Sequence, residues 1–315
     1  MFVTGGTGFL GPWLIEKLID AGAEVVALVR DINSRSRFFT DGIDSRVSMI
    51  FGDVTDVDLM RRTLVEYEIT HVAHMASQSI VGASRLDPVS TFRTNIGGTW
   101  ALLDACRALP NLQGVLVGSS DKAYGKPTVL PCTEETAGRP AHPYDASKAC
   151  MELVAGSYLR TYGVPIVISR AANLFGGGDF NENRIVPSVV LAALQNRRPV
   201  IRSDGSPVRD YLYIEDAVDG LVTLLGAAQR DDVCGEAFNF TSGTPLSVLE
   251  LTGLILEIIG KPELAPDILD NAQSEVDRIY ISPRKTAEVL GWNATHTMRE
   301  GLAETIAWYE KRLKR

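Results

Sequence analysis

Residues 2–11 read Phe2-Val3-Thr4-Gly5-Gly6-Thr7-Gly8-Phe9-Leu10-Gly11, an apolar run that passes straight into a glycine-rich turn. Residues 13–21 follow with Leu14, Leu18 and Ile19 on one face, which predicts a helix. Gly6-x-Gly8-x-x-Gly11 thus lies between a strand and the mouth of a helix. Glycines there let the backbone approach an anion with no Cβ in the way. The helix N-terminus adds free N–H groups and the positive end of its dipole. This strand–turn–helix context predicts a seat for the pyrophosphate of a dinucleotide, held on Gly5, Gly8, Phe9, Leu10 and Gly11.

Outward from the turn, β-branched runs alternate with amphipathic stretches. Strands are expected at 24–29, 47–51, 71–75, 115–118 and 165–169, and helices at 56–67, 89–109 and 146–162. That alternation predicts an α/β fold: a Rossmann-like, doubly wound parallel sheet with helices on both faces. Such sheets bind ligands beyond the carboxyl ends of their strands. The later chain is less regular. A glycine-rich loop spans 175–183, helices are expected at 185–195, 215–228, 247–259 and 298–312, and 237–240 is strand-like. The expected organisation is a dinucleotide-binding domain over residues 1–170, with later returns near 210–240, and a smaller α/β substrate lobe over 171–315.

Composition narrows the class. The 315 residues are 45% hydrophobic and 22% charged, so a sizeable core is expected. A net charge of −8 disfavours nucleic acid and anionic membranes as partners. No apolar run reaches the roughly 18 residues of a membrane helix, and no signal peptide is read. Cys106, Cys132, Cys150 and Cys234 form no CxxC pair, and His71, His74, His142 and His296 are scattered. We therefore expect a cytoplasmic protein without a metal site, and a structural role for His74.

Tyr144 and Lys148 stand four residues apart at the start of a predicted helix and so share a face. A lysine ammonium beside a tyrosine favours phenolate and lowers its pKa, which makes Tyr144 a usable base. Ser119-Ser120 supplies a hydroxyl just after the preceding strand. At the ribose end, Asp31 satisfies the spacing of a 2′-hydroxyl acceptor. Arg30 and Arg35 are equally placed to take a 2′-phosphate, so NAD and NADP both remain open.

With these residues in view, the chain resembles the extended short-chain dehydrogenase/reductases, the group of NAD(P)-dependent sugar-nucleotide epimerases and dehydratases. The similarity runs through Thr4 to Gly11, Gly52-Asp53-Val54-Thr55-Asp56, His74-Met75-Ala76-Ser77, Asn95-x-x-Gly98-Thr99, Ser119-Ser120-Asp121-Lys122-Ala123-Tyr124-Gly125 and Tyr144-x-x-Ser147-Lys148. It continues with Arg170-Ala171-Ala172-Asn173, Arg209-Asp210-Tyr211-x-Tyr213-x-Glu215-Asp216 and Leu290-Gly291-Trp292. The resemblance implies that Tyr144 takes a proton from a sugar hydroxyl while hydride leaves that carbon. It implies that Lys148 bonds the nicotinamide ribose and that Ser120 orients the hydroxyl. Asp53, Val54, Ala76, Ser77, Asn95 and Ala171 join the cofactor site. Gln78, Asn173, Arg184, Arg209 and Arg278 face the NDP-sugar, and arginines suit its diphosphate. The family's dimeric helix contact implies a homodimer.

The residues after Ser120 separate two chemistries. Family 4-epimerases carry small or apolar residues there, whereas 4,6-dehydratases carry an acid and a second proton-transfer group. Here the pair is Asp121-Lys122. Asp121 is the expected acid at C6, and a partly desolvated Lys122 the base at C5. Lysine at this position is similar to the CDP-glucose 4,6-dehydratases, as are Gly176-Gly177-Gly178-Asp179 and Arg184-Ile185-Val186-Pro187. The stretch Arg209 to Tyr213 looks more like the epimerase and dTDP-sugar branch, and the chain is shorter than typical CDP-glucose enzymes. The expectation is a 4,6-dehydratase (lyase) whose nicotinamide is regenerated within each cycle. The alternatives are a UDP-glucose-type 4-epimerase, in which Asp121 and Lys122 form only a local salt bridge, and an inactive dinucleotide-binding regulator.

Overall fold

The computed structural model describes residues 1–271 and 276–314. The first half runs β1 (Phe2–Thr4), α1 (Leu10–Asp20), β2 (Val26–Val29), α2 (Arg37–Thr40), β3 (Ser48–Phe51), α3 (Val57–Glu66), β4 (His71–His74), α4 (Val81–Leu86), α5 (Pro88–Phe92), α6 (Gly98–Cys106), β5 (Gly114–Ser120), α7 (Pro143–Tyr162) and β6 (Ile166–Ala171). The second half runs β7 (Asn173–Phe175), α8 (Ile185–Leu194), β8 (Val200–Ile201), β9 (Val208–Arg209), β10 (Tyr211–Tyr213), α9 (Ile214–Gly226), β11 (Ala237–Phe240), β12 (Leu246–Ser247), α10 (Val248–Ile259), β13 (Asp267–Ile268), β14 (Arg278–Ile279), α11 (Arg284–Leu290) and α12 (Met298–Leu313).

Among the described residues, seven strands make one parallel sheet in the order β3-β2-β1-β4-β5-β6-β11. This is the Rossmann-like, doubly wound sheet that the alternation predicts. Both faces are buried. Val3, Ala27, Val29, Leu116 and Val167 face α1 and α9, and Phe2, Val26, Leu28, Val115 and Val117 face α3, α6 and α7. A third core, around Phe175, Val189, Tyr211, Leu251, Leu302 and Tyr309, holds the later elements together. No helix among the described residues is long and apolar enough to cross a membrane.

Two local expectations are corrected. The single helix expected over 89–109 is broken into α5, a π-helical turn at Arg93–Gly97, and α6. Asp87 caps α5 by accepting from Ser90 N, and Pro88 disfavours a helical residue before it. The π turn brings Asn95 inward, where it is fully buried. Helix α7 begins at Pro143, not at residue 146. Proline suits a first helical position because its missing N–H has no partner to lose there. Tyr144 is thereby in the first turn.

Candidate active site

Strands β1 and β4 are neighbours, yet the chain leaves β1 toward β2 and leaves β4 toward β5. A crevice opens at the carboxyl ends where the winding reverses. Gly5 ends β1 with φ 75°, and a Cβ there would sit 2.7 Å from the Met75 carbonyl carbon and 2.8 Å from Ala76 N. Gly11 packs so closely on the turn that its Cβ would collide with the Gly5 carbonyl. Gly8 differs: its Cβ would meet only Gly5 O, at 3.3 Å, so this face of the turn is open. A cradle of bare backbone at the mouth of α1 fits a pyrophosphate.

The crevice continues into a cleft of about 1670 Å³ shared by the sheet and the later elements. Gly5, Gly8, Phe9, Leu10, Gly11, Arg30, Asp31, Asp53, Val54, Ala76, Ser77 and Ala171 all line it. Arg30 Nε donates to Asp31 Oδ2 at 2.6 Å beyond β2, both side chains exposed. Burial alone would raise the Asp53 carboxyl, but hydrogen bonds from Thr55 N (2.9 Å) and Thr55 Oγ1 (2.7 Å) hold it below the usual carboxylate range.

Asn95 lies behind the wall, and its neighbour Thr94 lines the cleft. The Asn95 amide accepts from Gln78 N (2.7 Å), and its Nδ2 donates to Gln78 O (3.2 Å) and to Ser147 Oγ (2.8 Å). Ser147 Oγ in turn donates to the Tyr144 carbonyl at 2.7 Å. Gln78 itself is absent from the lining, between Ser77 and Ser79 that form it. His74 is fully buried between Thr4 and Thr99, at 2.9 and 3.0 Å. Thr99 spends its hydrogen on Asn95 O, so His74 Nε2 is the donor to Thr99 and Nδ1 accepts from Thr4. Burial, reinforced by the Lys148 charge, pushes the imidazole down to about 3 and keeps it neutral.

Tyr144, Lys148, Ser120, Asp121 and Lys122 meet on one wall. Lys122 Nζ donates to Asp121 Oδ2 and Ser120 Oγ donates to Asp121 Oδ1, each at 2.9 Å. Tyr144 lies beside Ser120, whose hydroxyl favours the phenolate and partly offsets the effect of burial. Ser120, Asp121 and Lys122 therefore form one hydrogen-bonded run beside Tyr144.

The expectation that Lys148 lowers the Tyr144 pKa is corrected. Burial pushes the phenol up to about 12, and Lys148 itself down to about 8. Lys148 Nζ stands 5.9 Å from the Tyr144 ring centre and donates instead to Gly118 O at 2.7 Å. In a site this dry, desolvation of the phenolate outweighs the attraction at that separation.

On the far wall, Asn173 Nδ2 donates to Asp210 O at 3.0 Å. Arg184 donates to Asp179 Oδ2 and to Leu174 O, both at 2.8 Å. Arg209 is buried and donates to Val208 O at 2.9 Å. All three line the cleft, whereas Arg278 is exposed on β14 and stands outside its lining. Arg85, Phe180, Asn181 and Arg202 line it without having been singled out in the sequence. The glycine-rich loop of 175–183 was a partial signal for two of them. Arg85 and Arg202 lie in unremarkable sequence.

The chain matches the family model described as GDP-mannose 4,6 dehydratase over residues 2–305. It is 32% identical over 316 residues to a dTDP-glucose 4,6-dehydratase of Streptomyces antibioticus, covering 98% of this chain and 92% of that protein. A dTDP-glucose 4,6-dehydratase double mutant from Streptomyces venezuelae, solved with NAD bound, superposes with a TM-score of 0.90 at 27% identity, covering 99% and 97% of the two chains. A UDP-glucose 4-epimerase of Thermotoga maritima, solved with UDP-glucose, superposes with a TM-score of 0.91 at 27% identity, covering 99% of each. With residues 2–305 inside that family model, the chain belongs to the GDP-mannose 4,6-dehydratase family of extended short-chain dehydrogenases/reductases.

Proposed function

We propose that the chain is an NAD-dependent 4,6-dehydratase that converts an NDP-hexose to its NDP-4-keto-6-deoxy product. The observation that carries this reading is the hydrogen-bonded run from Ser120 through Asp121 to Lys122, beside Tyr144. Overall, 4,6-dehydration moves a hydride from C4 to C6 and expels the C6 oxygen as water. The proton of the C4 hydroxyl ends up in that water. The reaction needs a base at C4, a base at C5, an acid at C6, and a path from the first to the last.

A bound nicotinamide supplies the hydride acceptor at C4 and the donor at C6. The side chains do the rest. Tyr144, which the positive charge of a bound nicotinamide would favour as phenolate against burial, takes the C4 hydroxyl proton, with Ser120 orienting that hydroxyl. Transfer of a proton from Lys122 Nζ to Asp121 Oδ2, across their 2.9 Å contact, turns the ion pair into an amine and a carboxylic acid. Lys122 then takes the C5 proton while Asp121 gives its own to the departing C6 oxygen. Lys122 returns its proton to C5. The proton on Tyr144 passes through Ser120 to Asp121, which restores the phenolate and the acid for the next turnover.

Named dTDP-glucose relatives support the reaction class, and Asp31 at the ribose end supports NAD. The likeness of Lys122 to the CDP-glucose enzymes makes CDP-glucose our first candidate, with dTDP-glucose second. Residues 1–170 would carry the cofactor and 171–315 the sugar nucleotide. Exposed Leu86, Val89, Trp100 and Leu153 on α4 to α7 suit a homodimer contact, and four free cysteines suit the reducing cytoplasm.

The test is incubation with CDP-glucose, dTDP-glucose, UDP-glucose, UDP-N-acetylglucosamine and GDP-mannose, read by mass spectrometry. One of them should give a product lighter by one water. A second reading, an NDP-sugar 4-epimerase, is favoured by the likeness to the Thermotoga enzyme and by the fact that an Asp121–Lys122 pair needs no substrate to form. Interconversion of gluco and galacto forms with no loss of water would establish it instead. A regulator without turnover would bind NAD with no redox change. The presence of Tyr144, Lys148 and Ser120 together argues against that.

A further inference from the structure

Glu215 lies in the first turn of α9, Glu304 on α12, and His296 in the segment that leads into α12. Glu215 is distant in sequence from the other two, and none of the three lines the cleft. In the fold, one ligand atom from each gathers within 4.8 Å of the others.

The histidine is held by a buried acceptor. Asp216 Oδ1 takes hydrogen bonds from Thr295 Oγ1 (2.7 Å), Thr295 N (3.2 Å) and His296 Nδ1 (2.9 Å), while Oδ2 takes His296 N (3.1 Å). All four contacts come from N–H or O–H donors, so this carboxylate acts as acceptor throughout. The ring proton is therefore on Nδ1, and Nε2 is the nitrogen left for a ligand. Metal-binding histidines are oriented in this way by a carboxylate on the opposite nitrogen. The Tyr213 ring also packs edge-on against the imidazole, with centres 4.9 Å apart.

The charge is unbalanced. Tyr213 Oη stands 2.8 Å from Glu304 Oε2 and 3.3 Å from Glu215 Oε1, and it has one hydrogen for both. Among the described residues neither glutamate has a salt-bridge partner, and Lys17, the nearby cation, is paired with Asp219 at 2.5 Å. Three carboxylates thus share one imidazole.

We propose that Glu215, His296 and Glu304 bind one zinc ion, which pins α12 to the start of α9. Imidazole with carboxylates suits zinc, whereas magnesium and calcium favour all-oxygen shells. Zinc ligands sit at about 2.0–2.2 Å from the ion, so the group must close slightly. Glu304, on an exposed helix face, can do so by rotating its side chain. Tyr213 then keeps its hydrogen bond to one ligating carboxylate, and water completes the shell.

The test uses the full chain after dialysis against chelator, titrated with zinc chloride by calorimetry and melted with and without the ion. One zinc per chain and a higher Tm are expected, with no shift from magnesium chloride at the same concentration. H296Q should abolish the binding and E304Q should weaken it at least about tenfold, because a neutral carboxamide replaces a charged ligand. No zinc binding, or zinc bound as tightly by E304Q and H296Q as by the parent chain, overturns the proposal. Glu304 is exposed, so E304Q folds and keeps the test decisive even if H296Q does not. The titration needs no sugar nucleotide and no turnover, so it stands apart from the dehydratase reading.

Discussion

Lys122 Nζ donates to Asp121 Oδ2 at 2.9 Å, with the Asp121 side chain almost fully buried and Lys122 open to the cleft. On the proposed mechanism, these adjacent residues just beyond β5 present an acid and a base to one substrate position. K122M should abolish elimination while sparing cofactor binding, and D121N should lower kcat by about 10²–10⁴-fold. Both should still oxidise C4, so reduced nicotinamide should accumulate and be seen by absorbance. Unchanged turnover in K122M would remove Lys122 from the mechanism.

Ser120 donates to Asp121 beside Tyr144, so on the proposed mechanism it should matter after C4 oxidation as well as before it. S120A removes this hydroxyl and leaves both neighbours in place. We expect a loss on the order of 10²-fold in kcat with a smaller change in KM, and a larger solvent isotope effect. Turnover within about twofold of the parent chain would show that the proton reaches water by another path.

Lys148 has a folded-state pKa of about 8, well below its ordinary value, because burial disfavours the ammonium. The unfolded chain binds the extra proton between these two values, so stability rises with pH across that window. Below pH 8 the full cost is present, on the order of 3 kcal/mol before relaxation. K148M should therefore abolish activity yet raise Tm at pH 7, with the gain fading as pH approaches 10. A chemical melt series from pH 7 to 10 checks this. A lower Tm for K148M at pH 7 would contradict it.

Gly5 and Gly8 should separate folding from binding. G5A places a Cβ against the backbone of Met75 and Ala76 at positive φ, so it should cost about 2 kcal/mol or more of stability. G8A meets only Gly5 O at 3.3 Å and should fold normally. Its methyl group would stand where a pyrophosphate approaches, so NAD affinity should fall at least tenfold, about 1.4 kcal/mol. Calorimetry with NAD on both variants distinguishes the two effects.

Leu153 is 70% exposed on α7, with Trp100 45% exposed on α6. A carboxylate on this surface would be buried unpaired in a homodimer. L153D should shift the protein to the monomer position in size-exclusion chromatography with light scattering, at unchanged monomer Tm. An identical elution for both chains would place any dimer contact elsewhere.

Much of this protein was legible in its sequence, because the signals were local. The strand–turn–helix at Thr4 to Gly11 and the period-two burial of Phe2, Val3, Val26 and Ala27 express backbone sterics and a sheet covered on both faces. Tyr144 and Lys148 share a face by helical spacing alone. Asp121 and Lys122 were identifiable as neighbours, though not Asp121 as the acceptor for Ser120.

Long-range packing decided the rest. Strands of two or three residues, such as β9 and β14, exist only because distant partners complete their hydrogen bonds. A single helix was expected through residues 93–97, and a π turn appears there instead, as Asn95 reaches Gln78 and Ser147. Charge in Tyr144 and Lys148 follows burial, which no spacing rule encodes. Glu215, His296 and Glu304 became a cluster only when α12 docked on α9. The sequence by itself determined the Rossmann-like sheet, the glycine turn and the candidate side chains beside it, since these follow from short-range periodicity and backbone sterics. Tertiary structure alone decided which of those side chains share hydrogen bonds and which are stripped of water, because desolvation and contact depend on residues that the chain brings together only by folding.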